Sequence, residues 1–258
     1  MVAERLASDN PYRKDMLGSF LAHGLTREEA EGETLTQVIA GSDTTATAIR
    51  TTLLYIVTSP RCYDSLVSEI RDAAAKGTIS APIKDSEAKT LPYLQAVIRE
   101  GLRVLPPVAG LMSKVVPKGG DELCGFQVPE GTDVGVSMLG LQHSQEIYGE
   151  DAAMFRPERW LEAQGDRLKT MTTTWELTFK YGKWQCLGKS VALIELNKIF
   201  VEVRMVLLDC IRLSFSQPPF HHSTTCTHIY TSSTSFSLVR PLFSLTSSEE
   251  KKLALTNR

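Results

Sequence analysis

The sequence predicts a mainly α-helical protein with a small β portion. Three observations carry this. A helical pattern runs unbroken from Thr26 to Thr58. Proline and glycine signals delimit further helices near 60–76 and 91–104, and another helical pattern begins near Ser190. Between them, residues 108–136 change to short strand-like pieces separated by glycine turns. At 258 residues and 42% hydrophobic content, the chain has material for one large domain or two small ones.

Each element has a local reason. Thr26 with Glu29 forms a capping box, and Ser59-Pro60 closes the helix that follows. About 32 residues at 1.5 Å each make a rod of roughly 48 Å, enough to cross a domain. Its middle is at odds with its ends: Gly41 is followed by Ser42, Asp43, Thr44 and Thr45, all weak helix formers. Such a local conflict in a core helix tends to mark function. Ser59-Pro60 also starts the next helix, which ends near Lys76-Gly77. The helix near Leu91–Val104 stops at Pro106-Pro107. Turns are expected at Gly119-Gly120 and at Pro129-Glu130-Gly131. A loop-rich segment covers "EIYGEDAAMFRPERWLEAQGD", and "SVALIELNKIFVEVRMVLL" is helical. From Ile211 onward, 17 of 48 residues are Ser or Thr and no period persists, so this tail is expected to lack a regular packed element.

Composition excludes several classes. Twenty-eight basic against 30 acidic residues give no general attraction to nucleic acid or anionic membrane. No run of about 18 apolar residues occurs, so no membrane-spanning segment is expected. "MVAERLASDNPYRKD" lacks the apolar stretch of a secretory signal. Five scattered cysteines favour a reducing compartment with free thiols over a disulfide framework. His23 and His143 read as surface residues, and "HHSTTCTH" in the tail as chance composition rather than a metal site.

The chemistry concentrates in "FKYGKWQCLGK", Phe179 to Lys189. By itself Cys186 is a buried structural thiol, a nucleophile or a metal ligand. Gly182 and Gly188 allow a tight turn and a close approach of backbone to something flat. The helix that follows places amide groups where they stabilise a thiolate.

Three further segments extend this reading. "FKYGKWQCLGK" resembles the haem-ligand loop of the cytochrome P-450 family, F-x-x-G-x-R-x-C-x-G. "AGSDTT" (Ala40 to Thr45) resembles that family's oxygen-activation segment, "EGLR" (Glu100 to Arg103) its E-x-x-R, and "FRPERW" (Phe155 to Trp160) its later arginine segment. E-x-x-R alone means little, since i,i+3 ion pairs occur on many helices. Four motifs in family order make a specific signal, covering roughly Asp15 to Glu202. "KDMLGSF" through "AGSDTTATAIR" is similar to the fungal pisatin-demethylase-like branch.

The resemblance implies a haem-dependent monooxygenase, an oxidoreductase that inserts one atom of dioxygen into an apolar or aromatic small molecule. Its implied cofactor is haem b (iron protoporphyrin IX), with Cys186 as axial iron ligand. It implies that Phe179, Gly182, Trp184, Gly188 and Gly41 line the cofactor site. Asp43 and Thr44 would handle protons. Glu100, Arg103 and Arg159 would form a structural ion-pair cluster. Lys180, Lys183, Lys189 and Lys198 read either as a solvated face or as a docking patch for an NADPH-cytochrome reductase.

The sequence also departs from the family. Trp184 stands where the motif has an arginine that partners a haem propionate, and an indole supplies no charge. Lys180 replaces a small residue. The long helix starts far earlier than in the family, so the expectation is a C-terminal half of the fold. It comprises a polar stub at 1–14, a partial cytochrome P-450 domain at 15–203 and an aberrant, poorly ordered tail at 204–258. The family's usual endoplasmic-reticulum anchor is expected to be absent, leaving a cytoplasmic chain. Two alternatives stay open: a non-catalytic fragment unable to close a haem pocket, and a haem-thiolate isomerase or dehydratase. The intact "SDTT" speaks for the monooxygenase over the latter.

Overall fold

A computed structural model describes residues 2–215 except 9 and 11, with side chains described through Val203. The fold is mainly helical with two small antiparallel hairpin-like pairs, as the sequence predicts. Residues Met1–Met205 form one compact unit and Val206–Arg258 a second. Of the second, only the helical residues through Phe215 are described; the Ser/Thr-rich stretch at 216–258 lies outside the described residues.

Two short helices, α1 (Val2–Leu6) and α2 (Met16–Ala22), open the chain. Val2, Leu17, Leu21 and Ala30 form a small buried cluster, so residues read as a polar stub contribute a packed side chain. The long helix α3 spans Arg27–Thr58 with the expected capping box at Thr26 and Glu29. It runs unbroken through Gly41–Thr45, where hydroxyls turn back onto their own helix. Ser42 donates to the Val38 carbonyl at 2.6 Å and Thr44 to the Ala40 carbonyl at 2.7 Å.

Helix α4 (Pro60–Ala75) begins at Pro60, and after the short α5 (Asp85–Ala88) comes α6 (Pro92–Val104). Pro92 opens α6, and Glu69 of α4 accepts hydrogen bonds from the free amides of Tyr93 and Leu94 at 2.7 and 2.8 Å. Burial pushes the Glu69 carboxyl up, against the pull of those two amides. α6 is the core of the protein, with ten of its residues buried. It packs on α3 where Ala48, Thr52 and Ile56 form a buried stripe.

The β portion pairs β1 (Lys114–Val115) with β4 (Asp133–Val134), and β2 (Asp121–Leu123) with β3 (Phe126–Val128). The turns expected at Gly119-Gly120 and at Pro129-Glu130-Gly131 are present, and a further tight turn, Cys124-Gly125, both at positive φ, joins β2 to β3. Three short helices follow, α7 (Met138–Gln142), α8 (Gln145–Tyr148) and α9 (Arg159–Glu162). Helix α10 (Gly165–Glu176) leads into the cysteine loop, and α11 (Lys189–Phe215) leaves it.

Candidate functional site

The site rests on a buried ion-pair cluster built on α6. Glu100, Arg103 and Arg159 are fully buried and meet there. Arg103 forks onto Glu100, with Nε–Oε2 2.9 Å and Nη2–Oε1 2.8 Å, and Arg159 Nε reaches Glu100 Oε1 at 2.9 Å. A buried cluster stabilises only when its remaining donors find partners. Here Arg103 donates to the carbonyls of Gln142, Ala152 and Met154, and Arg159 to those of Tyr148, Asp151 and Met154.

Sequence reasoning missed the other members. Trp160 Nε1 donates to Glu100 at 2.9 Å, and Asp151 balances the second arginine at 2.9 Å. Burial works to raise the Asp151 carboxyl, but Arg159 and Arg156 hold it below its usual range. Burial pushes the Tyr148 phenol up. The tryptophan stands next to the motif arginine, so its place in "ERW" was the available signal.

An aromatic column connects this cluster to the cysteine loop. Tyr148, Trp160, Trp175 and Phe179 stack edge to face, with successive ring centroids 6.1, 6.5 and 5.7 Å apart. Phe179 is buried, and its carbonyl accepts the Cys186 amide at 2.8 Å. The loop that carries the cysteine is thereby pinned to the scaffold by one residue.

Within the loop, Gly182 lies at φ +62°, a conformation glycine adopts freely. Lys180 lies at φ +62°, ψ −174°, a region essentially reserved for glycine. This is the physical reason a small residue suits that position, and the lysine there holds strained backbone. Cys186 is a free, exposed thiol three residues before α11.

The loop faces the weak middle of α3 across a cavity of about 690 Å³. Ala40, Gly41 and Thr44 stand on one side, with Phe179, Trp184, Cys186 and Gly188 on the other. Leu102 of α6 and Val108 complete the apolar wall. The volume lies in the ordinary range for a bound small molecule or cofactor. A Cβ at Gly41 would meet nothing within 4 Å, so the glycine leaves open space. Asp43 is exposed and Gly182 is a turn residue; neither lines the cavity.

The charged residues that line the cavity are Lys180 and Glu195, and two further lysines stand by the lining residue Trp184. Lys114 Nζ of β1 stands 3.9 Å from the Trp184 ring centroid, and Lys183 Nζ stands 5.4 Å from it. Desolvation, and then Lys180 nearby, lowers the Lys114 ammonium from its ordinary value. The indole that replaces an arginine is thus flanked by two cations, one brought from the β portion. A free thiol, small residues opposite it, an apolar slot and cations at the rim fit a flat, thiolate-ligated, anionic group. His143, read as a surface residue, is partly buried and bonds the Val104 carbonyl at 2.9 Å. It satisfies the end of α6, a role its polar neighbours in sequence do not signal. His23 is exposed as expected.

The sequence pattern of the Cytochrome P450 family matches residues 3–203. The chain belongs to the cytochrome P450 family. Among its relatives are cytochrome P450 monooxygenase ABA1 of Pyricularia oryzae, 47% identical over 204 residues, and aba1 of Botryotinia fuckeliana, 46% identical over 202 residues. These alignments cover 79% and 78% of this chain and 40% of each relative. Pisatin demethylase of Fusarium vanettenii is 41% identical over 164 residues, which are 64% of this chain and 30% of that protein. The chain therefore spans about 40% of the length of the P450 relatives it matches best among these. The P450 match reaches back to residue 3, into the stretch read as a stub, and ends at residue 203. The P450 family implies a haem-thiolate cofactor. No helix among the described residues is long and apolar enough to cross a membrane.

Proposed function

We propose that this chain forms the cysteine-ligand side of a haem-dependent monooxygenase acting on an apolar or aromatic small molecule. The observation that carries the reading is that one cavity is lined by Cys186, Gly41 and Thr44 together. Bound there, haem b would supply dioxygen activation at its iron, using electrons from a reductase.

The chain's own residues have separable parts in this. Cys186 would hold the iron through its thiolate, favoured by the amides at the start of α11 and oriented by its backbone bond to Phe179. Lys114 and Lys183 would hold the cofactor's carboxylates, the task the motif gives to an arginine at Trp184. Thr44 Oγ1 commits its proton to the Ala40 carbonyl, so its lone pairs are what it offers the cavity. Asp43, exposed beside it, would exchange protons with solvent. Glu100, Arg103 and Arg159 are scaffold. Lys180, Lys189 and Lys198 would meet an acidic reductase surface; of these, Lys189 is paired with Glu176 at 3.2 Å.

One observation favours a second reading, a chain that does not keep haem by itself. Leu35, Val38 and Ile39 on α3 are 60, 55 and 61% exposed, an uncovered apolar face beside the cavity. The test is to add haem to the purified chain, reduce it and add carbon monoxide. The monooxygenase reading expects the Soret band of a thiolate-ligated complex. A spectrum of free haem supports the second reading.

A further inference from the structure

The crossing of α3 and α6 carries a contact that no motif predicts. A Cβ built on Gly101 would lie 2.0 Å from Thr52 Oγ1, 2.8 Å from its Cγ2 and 2.9 Å from its Cβ. All three nearest atoms belong to the one side chain, so Thr52 occupies the space of the absent methyl. Thr52 is fully buried. Thr34, Thr36, Thr44, Thr51 and Thr58 of the same helix each bond the carbonyl four residues back. Thr52 makes no such bond, and its hydroxyl is pressed against α6 instead. A buried hydroxyl without a conventional partner is costly, so close approach of the helices is what this arrangement achieves.

The location gives the contact a consequence. Gly101 sits between Glu100, centre of the ion-pair cluster, and Leu102, a wall of the cavity. Thr52 lies one turn beyond Ala48, another wall residue, on the helix that carries Gly41 and Thr44. The cysteine loop is pinned to the same cluster through Trp160, Trp175 and Phe179. We propose that the Thr52–Gly101 contact is the gauge that sets how far α3 stands from the cysteine loop, and hence the width of the cavity. Both are positioning residues; neither touches the cavity's contents. The gauge deepens the haem reading above, but its first test does not need haem.

The test swaps the glycine between helices. Gly101→Ala forces α3 away from α6, Thr52→Gly lets it settle closer, and the double variant removes all three close contacts. In the full chain labelled with fluorotryptophan, fluorine NMR separates Trp184 on the cavity wall from Trp160 and Trp175 in the core. Gly101→Ala should move the Trp184 resonance, and the double variant should return it. A Trp184 resonance unmoved in Gly101→Ala, with the core signals shifted, overturns the gauge. If Gly101→Ala does not fold, recovery of folding and of the Trp184 signal in the double variant supports it. Failure of the double variant beside a folded Thr52→Gly overturns it.

In the haem-loaded chain, the ratio of affinities for a bulky and a small axial ligand, phenylimidazole and cyanide, reads the same width. Gly101→Ala should shift it toward the bulky ligand by roughly tenfold, the scale of one methylene in an apolar pocket. A merely structural role weakens both ligands alike and leaves the ratio unchanged. Absence of a thiolate spectrum in the unaltered chain overturns the haem reading alone, since the NMR arm still decides the gauge.

Discussion

The ion-pair cluster on α6 and the cavity between α3 and the cysteine loop are joined by one aromatic column, yet they are built oppositely. In the cluster, Glu100, Arg103 and Arg159 are buried and their charges are met within the chain by Asp151, Trp160 and backbone carbonyls. At the cavity, Cys186 is exposed, Lys180 is strained, and the apolar face of α3 is open. The scaffold meets its charges within the chain, whereas the cavity side presents an exposed thiol and exposed apolar residues. Stability and function should therefore respond to different substitutions.

The largest expected effect breaks the scaffold. Arg103→Met leaves Glu100 buried with one guanidinium fewer and the Gln142 and Ala152 carbonyls without this donor, while Met154 keeps Arg159. It should cost about 3–5 kcal/mol in urea unfolding followed by circular dichroism. A loss below about 1 kcal/mol would mean the cluster is replaceable.

At the cavity, the same measurement should move the other way. Lys180→Gly relieves the glycine-only backbone and should stabilise the chain by about 1–3 kcal/mol. A destabilised variant would place the strain elsewhere. Smaller still is Lys114→Met, which should weaken haem uptake about fivefold, the scale of an exposed ion pair, with unfolding unchanged. Equal uptake by both proteins would remove Lys114 from the site.

The smallest effect lies away from both regions. Glu87 accepts from the Ser80 amide and hydroxyl and from the Lys84 amide, which pull its carboxyl down to about 2. Since the folded value lies below the ordinary one, its contribution is present above about pH 4.5 and is lost as pH falls toward 2. Glu87→Gln should flatten that part of the acid-unfolding curve while leaving the curve near neutral pH parallel. An unchanged slope below pH 4.5 would contradict the assignment.

Much of this was legible in the sequence because it is local. The capping box at Thr26, the proline at Pro60, and the stop before Pro106 bound α3, α4 and the end of α6 within a residue or two of expectation. The Ala40–Thr45 segment and the cysteine loop line one cavity, and Glu100 and Arg103 meet Arg159. Helix α10 was not read, because Thr170, Thr172, Thr173 and Thr174 have poor helix propensity. It holds through tertiary burial of Met171 and Trp175 against the core. Trp184 looked like a missing charge, and only the fold brings Lys114 from a distant strand to its ring. Lys180 looked like a simple replacement until its backbone angles gave the reason. The Thr52–Gly101 contact follows from a helix crossing, which no period in either segment encodes.

The central claim is that Cys186 presents a thiolate to haem in this cavity while the α6 scaffold stands independently of it. Compare the reduced, carbon monoxide-bound spectrum of the haem-loaded chain with that of Cys186→Ser, alongside thermal unfolding of both haem-free proteins. The account predicts a thiolate-type Soret band that Cys186→Ser abolishes, with unfolding of the two haem-free proteins the same. A spectrum that Cys186→Ser leaves unchanged would contradict it.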